Sequence, residues 1–169
     1  MTIDADKDGM DSIITFPRTA TMPPKRENPR VDDFHQLRGH IVDGCAMIER
    51  AIVAMLYREE GSHKYADVRM QDKVAVLRKR IAAHKELTKR DRKTIQLLDE
   101  LGPVIELRAI LARSTLSMGQ VDGQRVFILR PVADYSPTLD RRIVFTTEQL
   151  EHRKRRICEL AHHFGQLAE

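Results

Sequence analysis

Tryptophan is absent from this chain, aromatic residues are 5% of it, and cysteine occurs twice. The aromatic shortage leaves little from which to build a platform for stacked bases. Two cysteines cannot make a disulfide framework. Cys45 and Cys158 show neither a CxxC spacing nor an adjacent Cys/His ligand set, and both are expected as reduced core thiols on apolar helix positions. No apolar run approaches the length of a membrane span, so no membrane partner is expected. The N-terminal stretch is acidic and has no continuous apolar core, which does not read as a secretory leader; the chain is expected to be soluble and cytoplasmic. A Gly-rich phosphate loop, a GxSxG elbow and a nucleophile–base pair are also missing, and no cofactor is expected.

The 169 residues, 41% hydrophobic and 32% charged, suffice for one well-buried core, and the length favours a single domain. A net charge of +4 and a pI near 9.2 permit an acidic partner such as RNA without requiring one.

Residues 1–30, with "TFPRTATMPPKRENPR", combine proline and charge without periodicity and read as a disordered N-terminal arm; residues 31–169 read as one helical domain. Within the arm, Asp4, Asp6, Asp8 and Gly9 copy the first half of a calcium loop. Position twelve of the copy is Thr15 rather than a bidentate glutamate, so a solvated acidic tail is expected.

From Asp33 onward Phe34, Leu37, Ile41, Cys45, Ile48, Ile52 and Met55 recur by threes and fours, predicting a long amphipathic helix that ends between Arg58 and Gly61. A second helix carries Val68, Val74, Leu77 and Ile81, with His84 near its C-terminal end, where positive charge suits the helix dipole. A third starts around Thr88 with Ile95, Leu98 and Leu101. Gly102 and Pro103 then impose either a kink or a stop followed by a fresh start. The next segment sets Val104, Ile105, Arg108, Leu111, Ala112 and Thr115 on one face, with Arg108 where a core residue belongs.

After Leu116 the period changes. "QVDGQRVFILRPV" places an Asp122-Gly123 turn before a β-rich run, and "RRIVFTT" at 141–147 follows a loop containing Pro137. Thr146 with Gln149 then forms a capping box for a last helix carrying Leu150, Ile157, Leu160, Ala161, Phe164 and Leu167. The expected fold is mainly α: a four- or five-helix up-and-down bundle with a small β-hairpin inserted before the last helix.

A buried arginine needs a carboxylate, and Asp43, Glu49 and Glu100 are available for a structural ion pair with Arg108. Alternatively Arg108 meets phosphate in a cleft or at a dimer seam, which its planar fork suits. Basic runs at 77–85, 89–93 and 153–156 could converge if their helices lie side by side, making Arg78, Arg80, Lys89 and Arg90 phosphate- or partner-binding candidates beside Arg108 and Arg113. Acidic neighbours such as Glu86, Asp91, Asp99, Glu148 and Glu151 equally describe a solvated helix face. No metal site is expected: His35 and His40 are not an i,i+4 pair. His162 and His163 lie about 100° apart on a helix, so both cannot face the core squarely.

The stretch "LRAILARST", set in a layout of three helices before it and a hairpin and closing helix after it, resembles HEPN domains, the higher-eukaryote-and-prokaryote nucleotide-binding family. Their signature runs roughly Leu-Arg-Asn-x-Leu-Ala-His. Leu107, Arg108, Leu111 and Ala112 match it, Ala109 replaces its polar residue, and Arg113 stands where histidine belongs. The resemblance implies a helical homodimer packed around Arg108 and, in members with an intact motif, metal-independent RNA cleavage by an arginine and a histidine of two subunits. Arginine stays protonated and cannot replace histidine as a general base, so no catalytic residue is assigned. The resemblance then implies a non-catalytic binding or regulatory protein contacting RNA or a protein partner. A ribonuclease with a variant motif, and a helical protein unrelated to HEPN, are the alternatives.

Overall fold

The computed structural model describes residues 30–61, 64–132 and 142–169. The acidic arm with its calcium-like stretch, Arg30 excepted, and the Pro137 loop lie outside them. Five helices and three strands follow in the order α1 (Val31–Glu60), α2 (Met70–Ala82), α3 (Lys89–Asp99), α4 (Leu101–Arg113), β1 (Ser114–Val121), β2 (Gln124–Pro131), β3 (Ile143–Phe145) and α5 (Thr147–Ala168). The fold is mainly α, with a small antiparallel sheet ahead of the last helix.

Helix α1 forms where the apolar spacing predicts it: Phe34, Leu37, Ile41, Cys45, Ile48, Ile52 and Met55 are all buried. It starts with the Arg30 N–H donating to the Asp33 carboxylate at 2.7 Å and stops at Gly61, whose N–H closes on Tyr57 C=O. Its main partner is α5. The two helices approach closely at Gly44, where an added Cβ would lie 2.6 Å from Ile157 Cγ2. Capping boxes fix the starts of α3 and α5. Thr88 Oγ1 accepts from Asp91 N–H and Thr146 Oγ1 from Gln149 N–H, each at 3.1 Å, with the Asp91 and Gln149 side chains reaching back.

Gly102 and Pro103 mark a stop and fresh start. Helix α3 ends at Asp99 and α4 begins at Leu101, with Pro103 in the first turn, where its missing N–H costs no helical bond. Helix α4 ends at Arg113, earlier than its apolar pattern suggests. Thr115 is therefore a strand residue, and Ala112 is exposed; the face that enters the core is Leu101, Val104, Leu107 and Leu111. Val68 precedes α2 rather than belonging to it. Cys158 is a further correction: it follows buried Ile157 by one position, about 100° round the helix, and is exposed.

The sheet order is β1-β2-β3, all antiparallel. Asp122 and Gly123, with φ of 50° and 75°, make the two-residue turn that suits the right-handed strand twist, and Val121 pairs with Gln124. Phe127, Leu129, Ile143 and Phe145 carry the inner face of the sheet into one hydrophobic cluster shared with all five helices.

Candidate functional site around Arg108

Helices α1, α2 and α4 converge on one carboxylate. Glu49 lies one turn beyond Cys45 on α1, at the border of its buried stripe. Its Oε2 accepts from Arg108 Nη1 at 3.0 Å, and its Oε1 accepts from Lys73 Nζ at 2.7 Å. Lys73 also donates to Ala66 C=O at 2.9 Å. Lys73 is 2% exposed, so its charge is tolerated only because both bonds are made. Arg108 does not occupy a core position. Its side chain is 37% exposed, a step round the helix from buried Leu107. Of the three carboxylates open to it in sequence, Glu49 is the partner; Glu100 bonds Arg156 and Asp43 is exposed.

Cys45 stands close enough to sense both charges of this pair. Burial pushes its thiol up to about 11, Arg108 pulling it down and Glu49 up. A thiol so raised stays protonated near neutral pH and is no nucleophile. Among the described residues no histidine hydrogen-bonds to Arg108, Glu49 or Lys73. The arrangement can hold an anionic group against the free side of the Arg108 fork; it offers no imidazole to exchange a proton with a substrate.

Most of the remaining basic candidates have partners of their own. Arg78 pairs with Asp99 of α3 at 2.5 Å and Arg80 with Glu60 of α1 at 2.6 Å. Arg90 and Arg58 both donate to Leu167 C=O, and Arg58 also to Ala168 C=O, so together they satisfy carbonyls that end α5. Lys89 is exposed at the start of α3, and Arg113 is exposed at the end of α4. Arg156, from the third basic run, is bound by Glu100 and Glu159. His162 is exposed and accompanied by Gln166, and His163 is half-buried.

A groove of about 290 Å³ opens on another flank of α4, between Val104 and Leu107 on one side and Ile157 and Leu160 of α5 on the other. Arg153 at its rim lies 5.8 Å from the centre of the Phe145 ring; burial lowers its pKa, and Glu106 opposes the shift. Arg108 does not line it.

No family model matches the chain, and neither a curated protein nor a solved structure does.

Lys73 is the residue that sequence reasoning missed. The signal was present: Met70, Lys73, Leu77 and Ile81 lie on one stripe of α2, so a lysine occupied a core position and required a buried carboxylate.

Proposed function

We propose that this chain is a non-catalytic helical binding protein of HEPN type, which contacts a partner macromolecule through the face where Arg108 reaches solvent. The observation that carries the reading is the Glu49 clasp. The motif arginine is held within its own chain at 3.0 Å, and the position five residues on is an arginine that cannot transfer a proton. Rigid seating of Arg108 favours recognition of a fixed carboxylate or phosphate, since less side-chain freedom is lost on contact. A protein partner is favoured over RNA, because Arg78, Arg80, Arg90 and Arg156 are engaged by carboxylates or helix-end carbonyls rather than displayed as an open basic track.

A metal-free RNA-cleavage assay on the natural protein, Arg108→Ala and Arg113→His tests this. No cleavage by the natural chain is expected, with cleavage gained in Arg113→His. Cleavage by the natural chain that disappears in Arg108→Ala would overturn the non-catalytic reading. Silence from all three would remove the HEPN part and leave the binding part to a pull-down with Arg108→Glu.

A further inference from the structure

Strand β1 forms one edge of the sheet. Its eight residues span about 26 Å at ordinary strand rise. Antiparallel bonding alternates along a strand, and Val132 N–H donates to Arg113 C=O at 2.7 Å; residues 113, 115, 117, 119 and 121 therefore direct their backbone groups to β2. Ser114, Leu116, Met118 and Gln120 turn their N–H and C=O groups outward. Among the described residues no strand pairs with them.

Edges of this length are normally blunted by lysine, proline or a bulge. Strand β1 has none of these. "STLSMGQV" contains no ionisable residue and no proline, and its register with β2 runs unbroken from Ser114↔Pro131 to Val121↔Gln124. In a chain whose residues are 32% charged, such a gap is conspicuous. Charge resumes at its two ends: Arg113 immediately before the strand and Asp122 immediately after it, both exposed.

We propose that β1 pairs antiparallel with β1 of a second copy of this chain, across a two-fold axis at Ser117, joining two sheets into one. That register sets Ser114 against Gln120 and Leu116 against Met118, so every outward backbone group finds a partner. Leu116 and Met118, half-buried against the core, become neighbours on the inner face of the joined sheet. The same register brings Arg113 of each copy to the end where Asp122 of the other stands, so opposite charges meet at both ends of the seam. A parallel pairing would bring like charges together. This match of a strand to its own reverse is what selects a second copy over a foreign peptide, and an isologous two-fold contact closes without forming fibres. The inference rests on the strand alone and does not depend on the HEPN reading, which implies a seam on the helices around Arg108.

Sedimentation equilibrium of the full chain at high micromolar concentration, with circular dichroism to confirm folding, tests the seam. The natural protein is expected at twice the 19.5 kDa chain mass. Ser117 is exposed, and Ser117→Lys sets two ammonium groups directly opposite each other at the axis. That variant is expected folded and at 19.5 kDa. Ser117→Glu is expected to be monomeric alone, and an equal mixture of the two variants to recover the doubled mass. A monomeric natural protein, a folded Ser117→Lys that stays dimeric, or a mixture that stays monomeric would each overturn the proposal. A dimer that Arg108→Glu dissolves and Ser117→Lys does not would move the seam to the helices.

Discussion

Glu49 is one carboxylate with two cationic obligations, and its removal should not resemble the loss of a surface ion pair. Lys73 is buried, and without Glu49 it keeps only the Ala66 carbonyl. Leaving a charge buried and unpaired costs about 3–5 kcal/mol. Glu49→Ala is therefore expected to lower the unfolding free energy by about that amount in a urea titration. Lys73→Met should cost far less, because it removes the buried charge itself and leaves Glu49 with Arg108. Equal losses in the two variants would mean that the ammonium group is solvated after all. At this scale the sequence was half legible. A carboxylate was one of two partners that the sequence left open for Arg108 from its place on the face of Val104, Ile105 and Leu111, although the core position implied by that face is not where the side chain sits. Choosing Glu49 over Asp43 and Glu100 required knowing which flank of α1 faces α4, and no periodicity within either helix contains that. Cys158 failed for a related reason: an apolar stripe is only as wide as its neighbours make it, and on α5 it stops at Ile157.

Between elements, the tightest junction is the crossing of α1 and α5. Gly44 is buried there, and a methyl group in its place would lie 2.6 Å from Ile157 Cγ2. Alanine normally gains about 1 kcal/mol over glycine inside a helix. Here the opposing atom sits on a β-branched side chain with one favoured rotamer, so it cannot swing aside cheaply. Overpacking of this kind costs about 1–3 kcal/mol, which outweighs the helical gain. Gly44→Ala is expected to lower the melting temperature, and adding Ile157→Ala should cost less than the separate losses summed; strict additivity would show that the two positions do not touch. Element order, the type of each element and the Thr146–Gln149 capping box were legible in the chain, because caps and periods are local. The end of α4 was not. Its apolar spacing continues past Arg113, but Ser114 onward pairs with β2, and that long-range ladder outweighs local helical preference.

The molecule as a whole is tied across its helices by polar contacts that respond to pH. His84 follows α2, and its two ring nitrogens face Asp91 of α3 at 3.3 Å and Glu59 of α1 at 3.4 Å. The bond to Asp91, then the bond to Glu59, raises the His84 pKa above its ordinary 6.5. Because the folded chain holds this proton more tightly than the unfolded one, the contribution is complete below pH 6.5 and is lost as pH rises through the raised value. Burial works against Asp91, yet the bonds from Thr88 and His84 hold its carboxyl below the ordinary range, so its own contribution fades only in acid. His84→Ala is expected to flatten the decline in melting temperature just above pH 6.5; a decline as steep as that of the natural protein would place its origin elsewhere. The two carboxylates occupy opposite ring nitrogens and cannot share one cation with the imidazole. Among the described residues no metal-holding group occurs, and no helix is long and apolar enough to cross a membrane.

The packing of α1 against α5 has a consequence for synthesis. The buried stripe of α1 leaves the ribosome first, but the helix that covers it is made only after every other described element. At about 5–20 residues per second, several seconds pass with Phe34, Ile41, Ile48 and Ile52 uncovered on the nascent chain. During that interval the stripe is apolar surface of the kind that makes an incompletely folded chain prone to aggregate.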